Sequence, residues 1–384
     1  MTGVGVISVC GTGVDDFWAG LMKPVDPERV RNVPGWDPSP WMSGKDARHT
    51  DRFGQFAVAA ADLAVRDAGL DLAGLDPERC GVQVGTGIGG VASFEEAVRV
   101  LDSRGASRVS PYTAPMIMPN AGSALVSLRL GWRGPCETIT TACAAGTHSV
   151  AAGARMLASG VCDVVLAGGA DASLMGTTVA GFTNAGAMSR SGISRPFDRQ
   201  RDGFVAAEGA ALLVLEPLEV ALARGARVYC VIEGAASNAD AFDMTAPSPR
   251  GRGAQACMRL ALQDAGLTPD DVTHVNAHGT STSLNDAAES RAIADLLGNR
   301  RVPVTSVKGV TGHALGAAGA VEAAAVCLSY AHRALPPTMG FAEPDEDTCV
   351  IDVVAEPTDW EPGVALSNSF GFGGHNGTLV FAPV

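Results

Sequence analysis

Two stretches of this chain occur twice, and that repetition narrows the folds open to it. Residues 63–87, LAVRDAGLDLAGLDPERCGVQVGTG, resemble residues 260–280, LALQDAGLTPDDVTHVNAHGT. Each reads as a helix closing at Asp-Ala-Gly-Leu, a short acidic linker, then an apolar strand stopping in a Gly/Thr turn. A second echo links TACAAGTHSVAAGA (141–154) to TGHALGAAGAVEAA (311–324), aligning Cys143 with His313. Both are a threonine-led turn, a reactive side chain and a helix of small residues. The recurring element order implies two α/β halves, with mostly parallel sheets covered by helices. We place the halves at residues 1–225 and 226–384, joined near VLEPLEVALARGARVYCVIEG (214–234). Helices rich in Gly and Ala let backbones approach closely, so the two small-residue helices fit between sheets. Equivalent turns of the halves then face a shared cleft.

Bulk properties exclude several function classes. At 384 residues, 46% hydrophobic and 18% charged, the chain can bury two cores and is not disordered. Its apolar runs are broken well short of the roughly 20 residues of a membrane span, and MTGVGVISVC lacks a basic leader, so no signal peptide is expected. Nine scattered cysteines without a Cys-x-x-Cys pair fit free thiols in the cytoplasm and no zinc site. A net charge of −13 argues against nucleic acid or anionic membrane as a partner.

Chemistry concentrates on the turns. CETIT (136–140) favours a strand and AAGTHSVAAGARMLASG (144–160) a helix, which sets Cys143 at a helix N-terminus, where the dipole favours a thiolate. Such a cysteine should be alkylated ahead of the others. VNAHGTSTSLND (275–286) places His278 at the end of an apolar strand. SVKGVTGHALGAAG (306–319) sets Lys308 five residues before His313, which enters a helix. SNSFGFGGHNG (367–377) is a glycine-rich turn holding Phe370 and Phe372. A cysteine and two histidines on strand-to-helix turns can serve as nucleophile and base or electrophile. The remaining histidines, His148 and His375 among them, read as structural or surface groups.

These segments, with TGVGVISVCGTGVDDFW, DRFGQFAVAAADLA and SRPFDRQRDGFVAAEGA, occur in order and resemble the β-ketoacyl-[acyl-carrier-protein] synthases of the thiolase superfamily, nearest the elongating type I/II. The resemblance covers nearly the whole chain. It implies the thiolase fold, a layered αβαβα architecture, and a decarboxylating Claisen condensation in fatty-acid or polyketide elongation. Cys143 would carry the acyl group, and His278 and His313 would stabilise the malonyl enolate, with Lys308 ordering them. The N–H groups of Cys143 and Phe372 would form the oxyanion hole. Thr280 and Thr282 would bind the phosphopantetheine arm, Phe370 and Phe372 would gate the acyl pocket, and Met116 and Met118 would line its far end. Glu322, as partner of Lys308, and Asp286 would be structural groups near the site. No metal is expected, although Asn276, Glu322 and Ser367 match a cation site of some relatives. No cofactor is expected on the enzyme, since phosphopantetheine arrives on the acyl carrier protein. That protein is the expected partner, with Lys45, Arg48, Arg52, Arg199 and Arg201 as docking candidates. A homodimer is expected, or a heterodimer with a chain-length partner in a specialised type II polyketide system. Two departures stand out: Ser283 where the family usually has proline, and His375 where many members have threonine.

One rival comes from another class. Gly85-x-Gly87-x-x-Gly90 follows a strand with the spacing of a dinucleotide fingerprint, which would suit an oxidoreductase.

Overall fold

The computed structural model describes residues 1–384. The first half builds β1 (Gly3–Ser8), α1 (Arg52–Ala68), β2 (Cys80–Gly85), α2 (Ala145–Ala158), β3 (Val164–Asp171) and β4 (Gly209–Leu215). The second half builds β5 (Val231–Ala239), α3 (Arg252–Asp264), β6 (Val272–Asn276), α4 (Ser283–Leu297), β7 (Pro303–Thr305), α5 (Ala318–His332), β8 (Val364–Gly371) and β9 (His375–Ala382). Each half forms a six-stranded sheet. The first runs β1-β4-β3-β2, edged by Gly11–Thr12 and Cys136–Glu137; the second runs β5-β9-β8-β6-β7, edged by Asp352–Val353.

Directions repeat along with the order. β1 and β3 lie antiparallel to β4 while β3 and β2 are parallel. Likewise β5 and β8 lie antiparallel to β9 while β8 and β6 are parallel. The DAGL echo is therefore α1 leading into β2 and α3 leading into β6, each helix stopping at a left-handed glycine, Gly69 (φ 58°) and Gly266 (φ 67°). Of CETIT only Cys136–Glu137 pairs in a sheet, because the chain then turns toward α2.

Three cores separate the layers. β3 alternates Val164 and Leu166 toward one core with Val165 and Ala167 toward another, so it is buried on both faces and reads as one apolar run. The outer cores lie under α1 and under α3 with α4. The central core holds α2 and α5 between the sheets, giving the five-layered αβαβα thiolase fold. Small residues permit this: a Cβ on Gly319 would meet Thr147 Oγ1 at 2.0 Å, and one on Gly146 would meet Ala320 N at 2.8 Å. No helix is long and apolar enough to cross a membrane.

Candidate active site

Cys143 lies in a 3₁₀ turn, Ala142–Ala144, that feeds directly into α2. Ala142 adopts φ 50°, a left-handed conformation costing a non-glycine residue about 1–3 kcal/mol. Leu315, with φ 45°, plays the same part in the Leu315–Ala317 turn before α5. The structural counterpart of Cys143 is therefore Gly316. The sequence alignment of Cys143 with His313 is three residues out of step, and His313 does not enter a helix. It bridges Ala206, with its N–H donated to Val205 O at 2.7 Å. Asp171 accepts the Gly316 N–H at 3.2 Å and the Gly87 N–H at 2.9 Å, so the second turn is already capped by a buried carboxylate. In the first turn the N–H groups of Phe372 and of Cys143 itself point at the Cys143 sulfur.

The thiolate expected from the helix dipole does not persist at rest. Burial pushes the Cys143 thiol up to about 11, outweighing the Phe372 N–H and the charge of Lys308, which pull it down. The expected order of alkylation also changes, because Cys136 and Cys349 are exposed.

His278 and His313 complete the centre. The Cys143 sulfur and a ring nitrogen of each histidine lie within 4.8 Å of one another. The imidazoles meet edge to face, with centroids 5.3 Å apart. Lys308 is fully buried, pairs with Glu322, and donates to His278 O at 2.6 Å and His278 Nδ1 at 3.3 Å. An ammonium can only donate, so Nδ1 accepts and the His278 proton sits on Nε2. Burial first, then Lys308 and His313, hold His278 well below its usual value; burial and Lys308 do the same for His313. Both imidazoles are thus neutral. Burial raises Glu322 to about 7 against the pull of Lys308. Two carboxylates position the His278 turn. Asp286 accepts the N–H groups of Thr280, Ser281 and Phe197. Glu289, which the sequence reading missed, accepts those of His278 at 2.7 Å and Gly279 at 2.8 Å. Asp286 and Glu289 stand three apart on α4, the one sequence sign that both face the same turn.

Cys143, His278 and His313 line a cavity of about 260 Å³ with Thr280, Thr282, Phe370 and Phe372. Thr280 and Thr282 hydroxyls bond at 2.9 Å near its mouth, and Ser283 is the first residue of α4, where proline is tolerated but not required. Met116 and Met118 do not line the cavity. The short Thr113–Ile117 helix packs its backbone carbonyls against Gly89 and Gly90, which leaves Met118 44% exposed. Of the cation set, Asn276 donates to Ser367 at 3.1 Å, while Glu322 keeps Oε2 buried and unpartnered. Cys143, His278 and His313 are also the one group with metal-ligand spacing, but Lys308 beside them disfavours a cation. The dinucleotide reading fails on space: a Cβ at Gly90 would meet Met116 O at 2.0 Å, and Gly87 already lies against Asp171 and Gly316. Nothing as large as a pyrophosphate can enter.

Residues 30–221 match the family model described as the β-ketoacyl synthase N-terminal domain, and residues 229–342 match its C-terminal domain. The 3-oxoacyl-[acyl-carrier-protein] synthase 2 of Synechocystis sp. is 41% identical over 99% of this chain and 97% of its own. The ishigamide ketosynthase/chain length factor superposes with a TM-score of 0.93 at 36% identity, covering 100% of this chain and 98% of the other. A type II polyketide ketosynthase bound to a hexaketide, solved with its acyl-carrier protein, gives 0.91 at 30% identity over 100% and 98%.

Proposed function

Because this chain belongs to the β-ketoacyl synthase family, it catalyses the condensation of an acyl thioester with malonyl-acyl carrier protein to 3-oxoacyl-acyl carrier protein, and we propose that Cys143, His278 and His313 carry the reaction. The observation behind this assignment is the meeting of one thiol and two neutral imidazoles within 4.8 Å on a cavity wall. In the first half-reaction the Cys143 sulfur attacks the acyl thioester carbonyl. The C–S bond to the carrier breaks, and the thiol proton leaves on the departing carrier sulfur. Malonyl thioester then loses carbon dioxide, and the electrons of the broken C–C bond pass into an enolate. His278 Nε2–H and an N–H of His313 stabilise its oxygen, which is a task for neutral donors. The enolate carbon attacks acyl-Cys143, the tetrahedral oxyanion takes the N–H groups of Cys143 and Phe372, and the C–S bond breaks to release a Cys143 thiolate that regains its proton from water. Thr280 and Thr282 hold the pantetheine arm, and Phe370, 6.0 Å from His278 between ring centroids, closes the acyl side.

The partner is an acyl carrier protein. A groove holding Arg199, Arg201, Arg250 and Arg291, paired with Glu343, Asp345, Asp295 and Asp347, adjoins the cavity at Ser283 and Leu284, and exposed Arg250 can exchange its pair for an acidic protein carrying a phosphate-linked arm. Of the earlier candidates, Arg52 is bound to buried Glu208, while Lys45 and Arg48 lie on neither the cavity nor the groove. The enzyme works as a homodimer in the cytoplasm. Its apolar stripe Phe94, Val98 and Leu101, exposed along helix Val91–Arg104, supports pairing, and nine free cysteines suit that compartment. A second reading, a heterodimer with a chain-length partner, is favoured by the likeness to the ishigamide ketosynthase/chain length factor.

The test is mass mapping after exposure to an acyl thioester. The adduct should sit on Cys143, and Cys143→Ala should abolish both adduct and condensation. An adduct confined to Cys136 or Cys349, or condensation surviving in Cys143→Ala, would overturn the assignment.

A further inference from the structure

His148 reads in the sequence as a structural group, yet both its ring nitrogens are engaged around the reaction centre. Nδ1 lies 2.8 Å from Thr141 Oγ1, and Nε2 lies 3.0 Å from Asn376 O. A carbonyl only accepts, so Nε2 carries the proton and Nδ1 accepts from the threonine hydroxyl. Burial lowers the affinity of His148 for a second proton, which keeps this tautomer. The result is a directed chain from Thr141 Oγ1–H through the imidazole to the carbonyl of Asn376.

The ends of that chain give it meaning. Thr141 opens the turn that presents the Cys143 N–H, and Asn376 lies just beyond the Phe372–Gly374 turn that presents the Phe372 N–H. The two turns belong to different halves of the molecule. Between them the backbone is close-fitting: a Cβ on Gly371 would meet Cys143 N at 3.0 Å and Thr141 O at 3.1 Å. On the other side of the histidine, a Cβ on Gly377 would meet its Nε2 at 2.9 Å. The Cys143 turn carries the left-handed Ala142 and needs an outside hold to keep its shape. We propose that His148 is a positioning residue that sets the separation of the Cys143 and Phe372 N–H groups by tying the two turns together through Thr141 and Asn376. This rests on the reading of those N–H groups as the oxyanion hole.

Acylation by a thioester passes through an oxyanion, whereas alkylation of the same sulfur by iodoacetamide does not. Both rates are therefore measured at Cys143 by peptide mass spectrometry, in wild type, Thr141→Val and His148→Gln. Thr141→Val keeps side-chain shape and removes the hydroxyl, and a folded His148→Gln is confirmed by its circular dichroism melt. Loosening one donor should slow acylation by about 10–100-fold, and alkylation by a much smaller factor, because the Phe372 N–H also pulls the thiol down. Acylation within twofold of wild type in Thr141→Val overturns the proposal. So does an equal fall in both rates, which would mean that the sulfur itself had moved. If His148→Gln fails to fold, Thr141→Val decides alone. The underlying oxyanion-hole reading is tested separately by comparing Phe372→Pro, which lacks the N–H, with Phe372→Ala. Equal acylation in that pair would remove the hole, and the proposal with it.

Discussion

Lys308 shows how much of this chemistry depends on one buried side chain. It neutralises Glu322, fixes the His278 tautomer from 3.3 Å, and lends positive charge to the surroundings of Cys143. Removing one member of a buried ion pair costs about 3–5 kcal/mol, so Lys308→Met should lower stability by that order in a denaturant melt and lose decarboxylation as well. His313→Ala should keep acylation of Cys143 and lose decarboxylation of malonyl thioester; loss of acylation in that variant would refute the division of roles. The pH dependence follows from the shifts. Burial and Lys308 disfavour both imidazolium forms, so the histidines stay neutral as pH falls through 6.5 and contribute no acid limb there; a limb near 7 would belong to Glu322 or Glu289, which burial raises to about 7. An NMR titration in which either imidazole gains a proton near pH 6.5 would contradict it. With the thiol near 11, alkylation of Cys143 should rise about tenfold per pH unit from 7 to 9 without a plateau. Cys143, His278 and His313 were legible in the sequence because reactive side chains stand out among Gly, Ala and Thr. Asp171 and His148 were not, because each ties down a group distant in sequence, a role that leaves no local pattern, and Glu289 left only its three-residue spacing from Asp286.

At the scale of elements the decisive contact is α2 on α5. Their glycines work by absence of volume, and the effect can be measured against a neutral site. Gly319→Ala must displace Thr147, whose Oγ1 would lie 2.0 Å from the new Cβ, and should cost about 1–3 kcal/mol. Gly181→Ala, in helix Gly176–Asn184 with nothing within 4 Å, should instead stabilise by up to about 1 kcal/mol. Thermal melts of the two variants moving the same way would sink the packing account. Helix and strand order could be read from DAGL and the small-residue runs. The register between the repeats could not, because the Lys308–Thr311 helical turn and the His313 bridge have no counterpart ahead of Cys143. Met116 and Met118 lie outside the cavity of the single chain for a related reason. Apolar residue type says nothing about a short helix that sets its backbone against Gly89 and Gly90.

The proposed function calls on two surfaces of the whole molecule. Phe94, Val98 and Leu101 recur at helical spacing yet stay exposed, an arrangement expected of a face covered by another subunit. Phe94→Glu combined with Leu101→Glu should convert a dimer to a monomer in light scattering; an unchanged mass would place the interface elsewhere. Arg250 is exposed and Arg291 half-buried on the groove, where they pair with Asp295 and Asp347. Changing both to Glu should raise KM for the carrier-protein substrate and leave turnover of a free pantetheine thioester unaltered. Equal effects on both substrates would rule out a docking role.

A chain built by doubling has to stop being symmetrical if it is to hold one reaction centre and not two. Here a single side chain, Asp171, supplies the difference: the amide of Gly316 meets a resident carboxyl oxygen where that of Cys143 awaits a passing oxyanion. The silent copy is thereby turned into a foundation, and the duplicated terminus spends its electrostatic pull on joining the halves while its twin spends it on chemistry.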